Sequence, residues 1–321
     1  MHDKKLRAAI AISALLVVSI THAAQPAYPE KPIRLIIGSA PGSGPDIVSR
    51  ALADRLYGAW GQRVVVDSRP GVAGVLSAEL ALRAAPDGYT WMILTSQLFI
   101  ATMVYPNVKF NLDKDFASIS LIGTVPFVLV VNPELPAKSI RELIEVAKKT
   151  PLRYGSAGAG ATEHLSGVLF TRLTGTDMLH VPYKGVAEAL AATMGKEVNL
   201  TYGVLPAVLA MVQAGRVRAL GVTSPKRAAL LPDVPAIGEI VPGYQTLGWY
   251  SVVAPKGTPE AVLVKASAEV AKAVKEPQFG EQLKALGLEL AGSSRSELDA
   301  FRREQKRQIG EIVKIAGVDV K

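Results

Sequence analysis

Short apolar runs and longer amphipathic stretches take turns along this chain. The runs 33-IRLIIG-38, 63-RVVVD-67 and 89-YTWMILTS-96 are apolar and β-branched, and they read as strands. Residues 45–59 and 73–84 lie between them and read as helices, the first ending near Gly61. The rhythm then continues. Residues 138–149 space Ile140, Leu143, Ile144 and Ala147 as a helix that 150-TP-151 stops. A strand at 152–156, a helix at 162–174, a strand at 179–183 and a helix at 186–194 follow. Strands at 197–203 and 217–224 flank a helix at about 205–214. The C-terminal part reads as a strand at 246–255 and helices at 259–275, 277–286 and 296–316, with a short strand at 288–290 between the last two. Such alternation predicts an α/β fold with largely parallel sheets. The connections 97–116 and 225–245 carry Pro, Gly and Asn and read as surface loops.

The first residues stand apart. Basic 4-KKLR-7 precedes apolar 8-AAIAISALLVVSI-20, and 21-THAAQ-25 offers cleavage after Ala23 or Ala24. This is the pattern of a secretory signal over residues 1–24. Its apolar run is shorter than the roughly 20 residues that span a bilayer. The chain has 321 residues and no cysteine, so no disulfide framework supports it. The expectation is an exported protein, soluble after cleavage and periplasmic if the exporter is Gram-negative. The net charge is +8. The basic residues are scattered, as in 302-RREQKR-307, without interleaved aromatics, which argues against a nucleic-acid partner.

Two stretches carry candidate chemistry, 38-GSAPGSGPDIVSR-50 and 154-YGSAGAGATEHLSG-167. Each is a strand end, a loop of tiny residues and a helix start. In an open α/β sheet such loops lie beyond the carboxyl ends of the strands, where ligands bind. The first N–H groups of the helix lack intrahelical partners and favour an anion. Ser39, Ser43, Ser156 and Thr162 add hydroxyls, and Asp46 and Thr162 read as helix caps. Neither loop fits a Walker phosphate loop, a dinucleotide fingerprint or a nucleophile elbow. After signal removal the histidines are His164 and His180. They are too few and too scattered for a metal site of recognisable spacing. His164 stands beside the second loop, where it reads either as a group within reach of a ligand or, at least as readily, as a satisfied structural histidine, whereas His180 reads as core. Ordinary tight turns remain the plain alternative for both loops.

The order of several blocks carries more. YPEKPIRLIIGSAPGSGPDIVSR, VVVDSRPGVAGVLSAELALRAAPDGYT, YGSAGAGATEHLSGVLF, HVPYKG and VAPKGTP resemble the Bug family of periplasmic solute receptors, the binding components of tripartite tricarboxylate transporters. The resemblance implies a two-domain periplasmic-binding-protein fold, type II-like, with the ligand cleft between domains. Domain one takes residues 27–126 and 248–321, and domain two takes 127–247. It implies a small carboxylate ligand: a dicarboxylate, a tricarboxylate, an aromatic acid or an acidic amino acid. The implied ligand-binding residues are Ser39, Ala40, Gly42, Ser43 and Asp46 on one side, and Ser156, Ala157, Gly160, Ala161 and Thr162 on the other. By their places in the chain, Gln97 just after the strand 89–96 and His164 beside the second loop join them as candidates. It implies a monomer with no cofactor, no metal and no catalysis, whose partners are transporter subunits or a sensor kinase. An enzyme acting on a small acid is the competing class.

Several departures accompany the resemblance. Ala161 stands where the family often has threonine, and Val168 where it often has glutamate. The first loop has Gly42-Ser43-Gly44-Pro45 in place of paired glycines. The strand after Gly195 has Asn199, then Tyr202-Gly203, where the family often has an aspartate and then a Phe-Asp pair, so two acidic places near the cleft read as neutral.

Overall fold

The computed structural model describes residues 28–316 apart from residue 286, so the signal sequence read at 1–24 lies outside the described residues. From Lys31 onward the chain builds two sheets. Strands β1 (Ile33–Ile37), β2 (Val64–Ser68) and β3 (Thr90–Thr95) pair in parallel, with β1 in the middle. Helices α1 (Gly44–Trp60) and α2 (Val75–Leu82) are their crossovers. Helix α3 (Ser96–Val104) follows β3 directly, and the short α4 (Leu112–Asp115) leads into β4 (Phe116–Val125). The chain then passes Pro126 and enters the second sheet as β5 (Phe127–Val131).

The second sheet continues through α5 (Ile140–Lys149), β6 (Leu152–Ser156), α6 (Thr162–Thr174), β7 (Met178–Pro182) and α7 (Val186–Met194). Strand β8 (Leu200–Val204), α8 (Leu205–Gln213) and β9 (Arg218–Val222) complete it. The chain returns to the first sheet as β10 (Gly248–Pro255), followed by α9 (Glu260–Lys275), α10 (Pro277–Ala285), β11 (Glu289–Leu290) and α11 (Arg295–Ala316). The strand orders are β11-β4-β10-β3-β1-β2 and β7-β6-β8-β5-β9.

Both sheets are mixed, which corrects the expectation of largely parallel ones. β10 runs antiparallel to β3 and β4, and β5 runs antiparallel to β8 and β9. Each is the first strand laid down after the chain changes sheet. A buried strand is apolar whichever way it runs, so its periodicity carries no direction. The segment 97–116 is also not a surface loop. Leu98, Phe99, Ile100 and Ala101 of α3 are buried, and Thr95 caps the helix by accepting the Leu98 N–H at 3.2 Å.

The two passages between sheets are tied at Thr223. Its hydroxyl accepts the Phe127 N–H at 3.0 Å, and its own N–H donates to the Phe127 carbonyl at 2.9 Å. Its carbonyl accepts the Thr246 N–H at 3.1 Å, so outgoing and returning strands meet on one fully buried residue. Apolar packing is shared across the sheets as well. One cluster joins Leu94, Phe99 and Trp249 to Leu129, Leu165 and Phe170. Trp249 is fully buried, with Phe99 at 5.5 Å and Phe301 at 5.6 Å edge-on, and its indole N–H donates to Gln305 at 3.2 Å. Helix α11 lies against α6, α3 and β4.

Candidate functional site

The first loop joins β1 to α1. Gly42 takes φ +80°, a left-handed conformation that a side chain would strain. Ser43 is the N-cap residue, and its hydroxyl turns back to donate to the Ala40 carbonyl at 2.6 Å. The Ser39 carbonyl accepts the Ser68 hydroxyl at 2.7 Å, which ties the loop to the end of β2. Asp46, expected as the cap, lies within the first turn instead. Its carboxylate reaches back to accept the Gly42 N–H at 2.9 Å and pairs with Arg50 at 2.9 Å. The hydrogen bond from Arg50 holds its carboxyl below the usual range despite burial, and the Gly42 N–H assists. Asp46 thus fixes the shape of the loop.

The second loop joins β6 to α6. Ala161, not Thr162, is the N-cap residue, and Thr162 is buried in the first turn. Ser156 is fully buried. Its hydroxyl accepts the Gly158 N–H at 3.0 Å and lies 2.6 Å from Nε2 of His180. Gly160, at φ +78°, donates its N–H to Nδ1 of His164 at 3.1 Å. That bond requires an unprotonated Nδ1. Burial, helped by the charge of His180, pushes His164 down to about 4, and burial lowers His180 as well. The two rings stack at 3.9 Å and 19°. His180, read as core, is therefore half-buried behind the loop as part of its support. The register explains the meeting, since Tyr154 on β6 stands opposite His180 on β7.

A cleft of about 270 Å³ lies between this loop and the first sheet's helices. Residues 157–161 form one wall, and Ala73, Gln97, Ala101, Val104 and Tyr105 form the other. Gln97, Ala157, Gly160 and Ala161 are thus brought together. Ser39, Ala40, Gly42, Ser43, Asp46, Ser156, Thr162 and His164 are not in that lining, though the first loop packs on the turn that contributes Ala73 to it. A Cβ on Gly38 would stand 2.6 Å from Cα of Gly74, and a Cβ on Gly74 would stand 3.5 Å from Leu98. First loop, the turn at 72–74 and α3 therefore form a row. Ala73 in that turn holds φ +54°, a strained value for a residue with a side chain. Sequence reading missed Val104 and Tyr105 because the connection after β3 read as a loop, and Ala73 because it read as the first residue of a helix rather than part of the turn at 72–74.

It also missed Glu163 and Tyr250. Glu163 sits in the first turn of α6 yet is 5% exposed. Burial pushes its carboxyl up to about 7, although its own backbone N–H favours the charged form. Tyr250 on β10 lies near enough for the Glu163 charge to add to burial in raising its phenol to about 12. The Tyr250 hydroxyl stands 2.9 Å from where a Cβ on Gly44 would be. Gly44, Tyr250 and Glu163 thus connect the start of α1 to the start of α6. Among the described residues no group of three or more His, Cys, Asp or Glu is arranged to hold a metal.

Two of the departures from the family pattern, Val168 and Asn199, lie away from the cleft. Val168 lines a separate groove with Thr171, Arg172 and Ile315. Asn199 precedes β8, whose parallel partner β6 reaches the second loop only at its other end, and its side chain accepts the Arg153 N–H at 2.7 Å. Their neutrality leaves the cleft's charge unchanged.

Comparison with known proteins agrees with this architecture. Residues 48–318 match the family model described as the tripartite tricarboxylate transporter family receptor. A protein from the tcbD-tcbE intergenic region of Pseudomonas sp. strain P51 is 36% identical over 286 residues, 88% of this chain and 85% of its own. Among solved structures, R. palustris Rpa4515 with adipate is 33% identical, with a TM-score of 0.81 over 90% of this chain and 98% of its own. MatC from Rhodopseudomonas palustris with bound malate is 26% identical, with a TM-score of 0.76 over 89% of this chain and 100% of its own. A periplasmic-binding-protein fold of two α/β lobes, matched over most of its length, thus accompanies the sequence match, and the chain belongs to the tripartite tricarboxylate transporter receptor family.

Proposed function

We propose that this chain is an exported solute receptor that captures a small carboxylate between its two small-residue loops and hands it to a transporter of the tripartite tricarboxylate type. The observation that carries this reading is the composition of the cleft. Its lining is alanine, glycine, Gln97, Val104 and Tyr105, with the start of α6, where N–H groups lack intrahelical partners, beside it. Such a site offers donors and a positive dipole end to an anion without a nucleophile or base in the lining. Two relatives of the same fold carry adipate and malate. Binding without chemistry is the activity this supports.

In this reading the two lobes, 27–126 with 248–321 and 127–247, close about the passages tied at Thr223. The ligand contacts are those expected from both loops together with Gln97 and the newly recognised Ala73. A few charge-assisted hydrogen bonds, each worth roughly 1.5–3 kcal/mol, reach about −8 kcal/mol, a micromolar dissociation constant. No helix among the described residues is long and apolar enough to cross a membrane. The place of action is the periplasm.

Native mass spectrometry of the purified mature protein tests the reading. A small acid held at one copy per chain and released intact is the expected result. An empty protein whose melting temperature no carboxylate shifts, across mono-, di- and tricarboxylates, overturns it.

A further inference from the structure

We propose that Glu163 selects the ligand by pairing with an ammonium group, so that the cleft takes an amino acid in preference to the plain carboxylic acid of the same carbon skeleton. The inference deepens the carboxylate reading above and rests on it.

An acidic residue in the first turn of a helix is usually a solvated partner of the helix dipole. Glu163 is not solvated, at 5% exposure. Nor is it paired. Among the described residues no lysine, arginine or histidine bridges it, and its one hydrogen-bond partner is its own backbone N–H. Asp46, the corresponding acid at the other loop, shows the contrast. It is equally buried but takes Arg50 and the Gly42 N–H. A buried carboxylate without a cation is costly, and that cost falls when a ligand supplies the missing donor.

The position fits such a ligand. Glu163 follows the loop residues that wall the cleft, and it lies near Tyr250, whose hydroxyl abuts Gly44 at the first loop. The group thus lies two residues beyond the cleft wall, at a helix start, and its charge is felt by Tyr250. In the same turn the first N–H groups of α6 other than that of Glu163 lack intrahelical partners and can meet an anion. An α-amino acid carries its ammonium and its carboxylate on one carbon, so the two can meet Glu163 and the helix end together. An ammonium forms a charge-assisted bond to the ionised Glu163. A second carboxylate placed there meets a like charge or must bring a proton. With its carboxyl pushed up to about 7, Glu163 is poised between both forms in neutral solution, and an incoming cation takes the ionised one.

The test uses three matched pairs, alanine and propionate, aspartate and succinate, glutamate and glutarate, titrated calorimetrically into the mature wild-type protein and into Glu163→Gln. Wild type is expected to favour the aminated member of at least one pair by about ten- to a hundredfold. Glu163→Gln is expected to remove that preference while leaving or improving binding of the plain acid, which also shows that the variant is folded. Plain acids that bind wild type as well as or better than their aminated partners overturn the inference and leave the receptor reading standing. A preference that survives in Glu163→Gln overturns it as well. If neither member of any pair binds wild type, the inference fails together with the carboxylate reading.

Discussion

The imidazoles of His164 and His180 lie face to face, 3.9 Å between centroids, directly behind the loop that walls the cleft. Their neutrality is part of the structure. Nδ1 of His164 accepts from Gly160, and a proton there would turn acceptor into donor. In the unfolded chain a histidine titrates near 6.5, whereas His164 in the fold is held at about 4. Between these values the unfolded chain binds the extra proton. The stability contribution is therefore complete above about 6.5 and lost as pH falls toward 4. Urea unfolding should show a loss on the order of 3 kcal/mol across that window. His164→Gln, which keeps an acceptor for Gly160 but does not titrate, should flatten the slope.

Glu163 carries the opposite sign. Its folded value of about 7 lies above the ordinary 4.5, so the fold tolerates the protonated form and penalises the charged one. The penalty is absent below 4.5 and complete above 7. Glu163→Gln should raise stability at pH 8 by on the order of 2–3 kcal/mol and change it little at pH 4. Thermal unfolding at both values checks this.

Gly44 and Tyr250 make a steric pair. A Cβ at position 44 would stand 2.9 Å from the Tyr250 hydroxyl. Gly44→Ala should weaken ligand binding by pushing the phenol toward the cleft, and Gly44→Ala with Tyr250→Phe should recover part of it. The double-mutant coupling energy measures the contact.

Gly160 has two constraints, φ +78° and a Cβ position 3.3 Å from Val104. Gly160→Ala should cost about 1–3 kcal/mol in strain. It should also lower affinity for whatever ligand the native protein carries, as isothermal titration would show.

Thr223→Val keeps the shape of the clasp between the two passages but removes the hydroxyl. The buried Phe127 N–H then loses its acceptor, at about 1–3 kcal/mol. Denaturant unfolding should show that loss, and Thr223→Ser should restore most of it.

Much of this was legible beforehand. The boundaries of β6, α6 and α7 follow from periodicity and punctuation, and both small-residue loops stand where the strand ends put them. What escaped has physical reasons. Helix α3 begins on the residue after β3 with no glycine or proline to mark the change, only the cap from Thr95. Strand direction leaves no mark on apolar composition, so β10 shows as a strand without its orientation, and β4 and β5 pass unread because their apolar run carries no turn signal but Pro126. His164 and His180 meet through the pairing of β6 with β7, which neither helical nor strand spacing reveals. Glu163 was in plain view within 154-YGSAGAGATEHLSG-167, but a charged residue in a first turn reads as solvated, and its burial depends on what the other sheet brings to it.

The place of β10 has a consequence for how the molecule comes into being. It lies between β3 and β4, yet the chain reaches it only after the whole second sheet has been laid down. The second sheet is built from one continuous stretch and can form while the rest is still emerging. The first sheet stays split until residue 248 arrives, because pairs so distant in sequence wait for loop closure. Until then β3 and β4 expose unpaired edges. The interval between completion of the two sheets is when this protein is most open to aggregation, and a chaperone that shields β3 and β4 would protect it best.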